Sequence, residues 1–431
     1  MKNMEPVGAI TGEKGTPRGI ITFVIGLFFI WGFSTVLLDS LIPKLKALFS
    51  LSYAEVMLSQ FCFFVAYFVF SIPAASLLGQ VGYMRSIVIG LVVMALGCLG
   101  FVPAALLGTF GGILVALFVM ASGITLLQVA ANPLVAVLGP AKSSSSRLTL
   151  AQAFNSLGTA IGPIVGAQLI LGTTSGVAPD PATAAPSAVA AFRRAEIHLV
   201  EMPFLGIAGV IFVLAITFWL LRRAPGIPGA ERLQYHPAVL ARLLQRPRLM
   251  IGVAAIFVYV GAEVTIGSLM TNYLMQPSRL GLSAAWAGRY VGLYWTGAML
   301  GRFIGSYILR VWSPGIVLAA FALGAATLVA VSAGSEGMVS ATTIIAVGLF
   351  NSIMFPTIFT MAIAGLHQDT PQGSGLLCMA IVGGAVIPWI SGLVADHNGL
   401  ASALLVPVCC YLFIAGYGFL ARRQQEEGAT P

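Results

Sequence analysis

Charged residues are scarce in this chain, and their scarcity excludes a soluble globular protein. Asp, Glu, Lys and Arg make up only 8% of the 431 residues, whereas soluble domains carry about 25%. Hydrophobic residues make up 58% of the chain, and the mean hydropathy is +0.96. The net charge of +8 therefore does not indicate a nucleic-acid partner, because in a membrane protein the placement of Lys and Arg matters more than their sum.

Other features that are missing narrow the class further. The five cysteines all lie in apolar stretches, and no Cys/His spacing is typical of a metal site, so we expect no metal and no cofactor. The sequence contains no nucleophile–base arrangement of the kind that would indicate an enzyme. No apolar segment precedes Ile20, which argues against a removed signal peptide. The absence of an Asn-x-Ser/Thr sequon favours a bacterial protein.

Long apolar stretches make up most of the chain, and their lengths predict an all-α membrane protein. A spanning helix needs about 20 apolar residues. Twelve windows meet this need: 20–43, 55–79, 84–106, 109–138, 147–171, 200–222, 249–275, 286–309, 314–333, 338–365, 373–395 and 400–421. Twelve spans place both termini on the same side of the membrane.

The distribution of basic residues predicts the orientation and the domain division. With cytoplasmic termini, fifteen Lys and Arg lie in cytoplasmic segments and five on the opposite side. Residues 172–199 form a predicted outer loop, and the basic, proline-containing residues 223–248 form a predicted cytoplasmic linker. We therefore predict a six-helix bundle over 1–222 and a second over 249–431, in the inner membrane of a bacterium, able to rock against each other.

Weak internal symmetry supports this division, and glycines give a further clue. Gln128 precedes Pro133 by five residues in span four, and Asn351 precedes Pro356 by five in span ten. Proline within a spanning helix frees a backbone carbonyl and kinks the helix, and paired interruptions indicate a central binding site. Spans five and eight each carry three glycines four residues apart: Gly158, Gly162 and Gly166, and Gly297, Gly301 and Gly305. This spacing predicts a helix face that another helix approaches closely. Such faces could slide past each other during rocking.

Two carboxylates inside apolar spans are candidates for cation coupling. Asp39 lies nineteen residues into a segment that carries no other charge, and Glu263 lies near the middle of span seven. A carboxylate in hydrocarbon is costly unless it faces a watery cavity or has a partner. The alternatives are that Asp39 lies at a helix end near Lys44, and that Glu263 forms a structural ion pair with Arg302 or Arg289.

Amide side chains are the candidates for ligand binding. Gln128 and Asn132 share a face of span four, and Gln152 and Asn155 share a face of span five. Amides both donate and accept hydrogen bonds, which suits a ligand covered in hydroxyls. Helix–helix hydrogen bonding is the alternative role. Further candidates in the second half are Asn351 and two aromatic residues that could stack on a pyranose, Trp295 and Phe355.

Taken together, several motifs resemble the fucose–galactose–glucose:proton symporters of the major facilitator superfamily, and in the second half the glucose/galactose branch. The resemblance covers nearly the whole chain and is carried by residues 29–32 with Asp39, then 130–140, 150–156, 259–264, 301–306, 350–356 and 373–379. It implies sugar import by alternating access, driven by a proton gradient. It also implies that Asp39 is needed for transport and that Gln152 and Asn155 contact the sugar.

One departure from the family affects the expected coupling. Gln128 occupies a position where the fucose branch has Glu, and Gln does not titrate. Glu263 could replace that carboxylate; otherwise coupling runs on Asp39 alone, uses Na⁺ or is absent. We therefore predict a monomeric symporter in the lipid bilayer for a glucose- or galactose-like hexose, coupled to H⁺ in preference to Na⁺. The alternatives are a facilitator, an exporter of lipophilic compounds and a sugar sensor that does not transport.

Overall fold

All regular structure in the described part of the chain is helical. The structure, a computed structural model, describes residues 22–35, 53–106, 109–166, 185–223 and 237–427. We use the predicted division to name the halves. The N-terminal half comprises α1 (Thr22–Thr35), α2 (Tyr53–Val81), α3 (Tyr83–Leu106), α4 (Phe110–Val137), α5 (Ser144–Gly166) and α6 (Pro186–Leu221).

The C-terminal half contains more and shorter helices. It comprises α7 (Pro237–Leu244), α8 (Pro247–Met275), α9 (Ala284–Val311), α10 (Pro314–Gly334), α11 (Gly337–Asn351), α12 (Met354–Ile363), α13 (Thr370–Met379), α14 (Gly383–Asn398), α15 (Leu400–Ala403) and α16 (Leu405–Glu427). The division itself remains a prediction.

The twelve predicted spans correspond to these helices. Within the described ranges, nine helical segments are long and apolar enough to cross a membrane. Three of the helices that correspond to predicted spans fall outside that group: α1, which is apolar but is described over fewer residues, and α5 and α9, which are less apolar. The two less apolar helices pack against each other across the two halves, as α2 and α13 also do.

Two predicted loops contain helix. Helix α6 begins at Pro186, although residues 172–199 were predicted to be an outer loop. Proline at a first helical position costs no hydrogen bond, and the Ala-rich sequence that follows favours helix. Inside the predicted linker, α7 places Leu243 in the core, and Arg242 donates to both carboxylate oxygens of Asp369 at 2.9 and 2.8 Å. The end of the linker is therefore fastened to the loop before α13.

Matched proline interruptions were expected in both halves, but the described helices break in only one. Span ten is divided between Asn351 and Met354, and span eleven is divided by a 3₁₀ turn over Ala380–Val382. Helix α4 continues through Pro133. The carbonyls that Pro133 and Pro356 free also have different partners, described below.

The glycine faces pack within each half. A Cβ on Gly158 would overlap the carbonyl oxygen of Phe29 in α1, and one on Gly32 would overlap that of Asn155 in α5. A Cβ on Gly301 would lie 2.6 Å from the carbonyl oxygen of Leu349 in α11. In this structure Gly158 and Gly301 therefore face helices of their own half, and the expectation that such faces slide during rocking stays a prediction.

Candidate functional site

A cavity of about 200 Å³ lies between the two halves and is lined by both. The N-terminal half contributes Trp31, Gly32, Thr35, Phe63, Tyr67, Gln128, Gln152, Asn155 and Thr159. The C-terminal half contributes Tyr259, Val260, Glu263, Arg302, Phe355 and Ile381. Aromatic rings with a few polar groups are typical of a small-molecule site.

The N-terminal wall presents three amides whose nitrogens are already bound by protein. Gln128 Nε2 donates to Tyr67 Oη at 2.7 Å, and Asn155 Nδ2 donates to the carbonyl oxygen of Phe28 at 3.0 Å. Gln152 Nε2 donates to Asn132 Oδ1 at 3.3 Å. Each bond fixes the orientation of its amide and leaves the amide oxygen to accept from another donor. Gln128 Oε1 is buried and has no partner among the described residues.

The C-terminal wall carries charge instead. Tyr259 donates its hydroxyl to Glu263 Oε1 at 2.8 Å, and Arg302 Nη2 lies 3.9 Å from the same oxygen. The two charged side chains are only 13% and 14% exposed. The expected pairing of Glu263 with Arg302 is therefore present, but at a distance that makes it a loose ion pair, and both residues also face the cavity.

Behind this wall, tyrosines and an amide hold the ion pair in place. Asn351 Nδ2 donates to Tyr294 Oη at 2.7 Å, and Tyr259 Oη also lies 3.1 Å from the carbonyl oxygen of Asn351. The side chain of Asn351 is fully buried. The network joins α8, α9 and α11 and so fixes the position of Glu263 in the wall.

The carbonyls freed by proline are bound in both halves, with different chemistry. Pro133 removes the amide hydrogen that would bond the Val129 carbonyl, and Ser374 Oγ donates to that oxygen at 2.8 Å. Pro356 frees the Ser352 carbonyl in the same way, and Arg302 Nε donates to it at 3.2 Å. A neutral hydroxyl serves the first carbonyl and a cation serves the second. The Arg302 bond lies at the break in span ten.

One face of α5 makes most of the polar contacts between the halves. Ser145 Oγ lies 2.7 Å from Thr360 Oγ1 of α12, and Ser146 Oγ donates to the Ser306 carbonyl of α9 at 2.6 Å. Further along α5, Arg302 donates to Ser156 Oγ and to the Gln152 carbonyl. In the described part of the chain no ion pair crosses between the halves.

The structure brings most of the predicted site residues together. Gln128, Gln152, Asn155, Glu263 and Phe355 line the cavity. Three others do not: Asn132 supports Gln152 from behind, Asn351 supports Tyr294, and Trp295 is 43% exposed and packs edge-on against Tyr294. Asp39 lies outside the described residues.

Some lining residues were not predicted to bind ligand. Trp31, Tyr67 and Tyr259 lie on the cavity wall. Aromatic residues are ordinary in apolar spans and make up 10% of this chain, so the composition of the spans did not single these three out. The only sequence signal was the presence of Trp31 and Tyr259 in the motifs that carry the family resemblance.

Helices long and apolar enough to cross a membrane, arranged around a central cavity lined by aromatic rings and a few polar groups, are typical of a secondary transporter. The chain belongs to the Major Facilitator Superfamily, whose family model matches residues 22–382. It is 46% identical to a glucose/galactose transporter of Brucella abortus over 97% of this chain and 98% of that protein. It is 33% identical to the L-fucose-proton symporter of Escherichia coli over 98% and 97%.

A solved structure shows the same fold. FucP, the fucose:proton symporter of E. coli, in its outward conformation, superposes with a TM-score of 0.87 and 32% identity, over 94% of this chain and 99% of that one. The family resemblance, the fold class and the expectation that the chain is not an enzyme are thereby confirmed.

Proposed function

We propose that this protein imports a glucose- or galactose-like hexose across the bacterial inner membrane by alternating access, coupled to H⁺. The substrate class is inferred from the N-terminal wall, where the side-chain nitrogens of three amides donate hydrogen bonds to protein acceptors. Their oxygens suit ligand hydroxyls. A cavity of about 200 Å³ suits a single sugar ring, and Phe355 and Trp31 supply rings for its apolar face.

The coupling ion enters the proposal through two carboxylates. Glu263 faces the cavity, and Asp39 is placed only by the sequence. The relatives named as proton symporters support H⁺ over Na⁺. We also propose a monomer in the lipid bilayer, with both termini cytoplasmic on the strength of the basic residues. The Ser145–Thr360 and Ser146–Ser306 contacts would then close the cytoplasmic end.

Counterflow in proteoliposomes with a panel of labelled hexoses tests the substrate class. We expect exchange of glucose and galactose, and none of a disaccharide, for which the cavity is too small. Exchange of lipophilic compounds without sugar exchange would overturn the proposal. Specific sugar binding without exchange would indicate a sensor.

A second experiment tests the coupling. An imposed inward proton gradient should drive accumulation in the wild type, and Asp39→Asn should abolish accumulation while leaving exchange, because exchange needs no net proton movement. Asp396→Asn, an exposed carboxylate at the end of α14, is the matched control. Accumulation that requires a sodium gradient, or full accumulation by Asp39→Asn, would contradict proton coupling through Asp39.

A further inference from the structure

The guanidinium of Arg302 touches three parts of the molecule that alternating access must move. It lies 3.9 Å from the Glu263 carboxylate, it donates to the Ser352 carbonyl at the break in span ten, and it reaches α5 of the other half. On α5 its acceptors are Ser156 Oγ and the carbonyl of Gln152, one of the cavity amides. No other residue in the described ranges makes polar contacts of all three kinds.

The distances rank these contacts. The Glu263 carboxylate lies beyond hydrogen-bond length from Arg302, whereas the Ser352 carbonyl is 3.2 Å away and Ser156 is within hydrogen-bond contact. Glu263 has its own donor in Tyr259 at 2.8 Å. In this arrangement the guanidinium is therefore hydrogen-bonded to α5 and to the broken span. The Glu263 carboxylate is an alternative partner that lies farther away.

We propose that Arg302 is a positioning residue for translocation, which holds α5 against the C-terminal half at the break in span ten. The inference rests on the proposed transport function for its meaning, and the contact itself can be tested without a sugar. Lysine at this position would keep the charge beside Glu263, but a single ammonium cannot reproduce the planar fork that bridges two backbone carbonyls and a hydroxyl. Arg302→Lys thus separates the charge of Arg302 from its hydrogen-bonding geometry.

Cross-linking reports closure of the halves directly. The cysteine pair Ser145→Cys and Thr360→Cys replaces two oxygens that lie 2.7 Å apart, so the disulfide should form in the closed arrangement. Its rate of formation under mild oxidation, measured by mass spectrometry of the linked peptides, serves as the readout. The two single-cysteine variants control for the five native cysteines.

Adding Arg302→Lys should slow this cross-link about fivefold, the factor that corresponds to one hydrogen bond. Ser156→Ala should slow it to a similar degree, and the double variant should be no slower than either alone, since both changes remove one interaction. Glu263→Gln should not slow it, because removing the competing carboxylate leaves the guanidinium to α5. Arg289→Lys on the same helix, where Arg289 stacks on Trp286 at 4.4 Å, is the matched control.

Sugar counterflow provides the second readout. Arg302→Lys and Ser156→Ala should lower its turnover by a similar factor. In Ser156→Ala, whose residue does not line the cavity, the sugar Kd should stay within about twofold. A merely structural ion pair predicts a different pattern, in which Glu263→Gln slows cross-linking as much as Arg302→Lys does and Ser156→Ala has no effect.

The outcomes separate this inference from the proposed function. Wild-type cross-linking rates in Arg302→Lys and Ser156→Ala, additive losses in the double variant, or an equal loss in Arg289→Lys would overturn the role of Arg302. Should Arg302→Lys fail to fold, Ser156→Ala, which keeps every charge, decides alone. A wild type that cross-links as expected but exchanges no hexose would refute the sugar proposal and leave the role of Arg302 in closure standing.

Discussion

The two walls of the cavity differ in chemistry. The N-terminal wall is built of neutral amides, Gln128, Gln152 and Asn155, each oriented by a hydrogen bond from its nitrogen. The C-terminal wall is built around Glu263 and Arg302. The carbonyls freed by proline repeat the contrast, with a serine hydroxyl bound to one and an arginine to the other.

This difference predicts separate roles in sugar binding and coupling for the two walls. Neutral hydrogen bonds to a sugar depend little on pH, whereas a carboxylate–guanidinium pair responds to protonation and to the electric field. Binding should therefore be more sensitive to changes in the N-terminal wall, and coupling and stability to changes in the C-terminal wall. The following variants test that separation, from the largest expected effect to the smallest.

Glu263→Gln should have the largest effect, and on stability before affinity. The change leaves Arg302 without its counter-ion, and breaking a buried pair costs about 3–5 kcal/mol. Because the pair is loose and both side chains are partly exposed, we expect about 3 kcal/mol or less, seen as a lower Tm in detergent. Sugar binding should survive, and the pH dependence of transport should shift.

Two further variants control this result. Glu336→Gln, an exposed carboxylate at the start of α11, should leave Tm unchanged. The double variant Glu263→Gln with Arg302→Gln should recover part of the lost stability, because it removes the stranded cation as well. An unchanged Tm and pH profile in Glu263→Gln would show that the charge of the C-terminal wall is dispensable.

Gln152→Ala and Asn155→Ala should act on affinity. Each removes an acceptor for sugar hydroxyls, at about 1–3 kcal/mol, which corresponds to a loss of roughly tenfold to a hundredfold in affinity. Calorimetry on the purified protein measures this loss, and thermal melting run in parallel should show a much smaller change than Glu263→Gln gives. Wild-type affinity in both variants would assign these amides to helix packing.

Gln128→Glu would make the N-terminal wall resemble the other wall. The new carboxylate can accept from Tyr67 Oη, which now lies 2.7 Å from the Gln128 nitrogen, so folding should be preserved. We expect sugar affinity to change by only a few fold, about 1 kcal/mol or less. The rate of uptake should become more dependent on pH. A pH profile identical to that of the wild type would show that a titratable group at this position does not take part in coupling.

Trp295→Ala should have the smallest effect. Trp295 is 43% exposed and does not line the cavity, whereas Trp31 is buried and does. We expect less than about a twofold change in sugar affinity for Trp295→Ala and a larger loss for Trp31→Ala, which removes a ring from the wall. Equal losses in the two variants would contradict the position of the cavity.

The sequence alone was sufficient for the fold class and for several of the residues that line the cavity. Long apolar windows predict spans because a helix must be about 20 residues long to cross a bilayer. Amides and a carboxylate stand out in such windows because they are costly there, and so Gln128, Gln152, Asn155 and Glu263 could be recognised.

The same reasoning could not separate residues that face the cavity from those one layer behind. Asn132 shares a helix face with Gln128, and Asn351 has the same relation to proline as Gln128, yet both are fully buried. Side-chain rotation and the angle between helices decide which of two neighbouring polar groups reaches the cavity. Neither can be read from the spacing of the residues along the sequence. Trp295 shows the same limit, since its depth was predicted but its direction was not.

The reciprocal glycine contacts between α1 and α5 have a mechanical consequence. Gly32 lies against the backbone of Asn155, and Gly158 lies against the backbone of Phe29, so the two helices touch without intervening side chains at two points. Because a Cβ at either glycine would overlap a backbone carbonyl, these two contacts set the distance and register of α1 and α5 in this structure. Trp31 on one helix and Gln152 on the other are thereby both placed on the wall of the cavity.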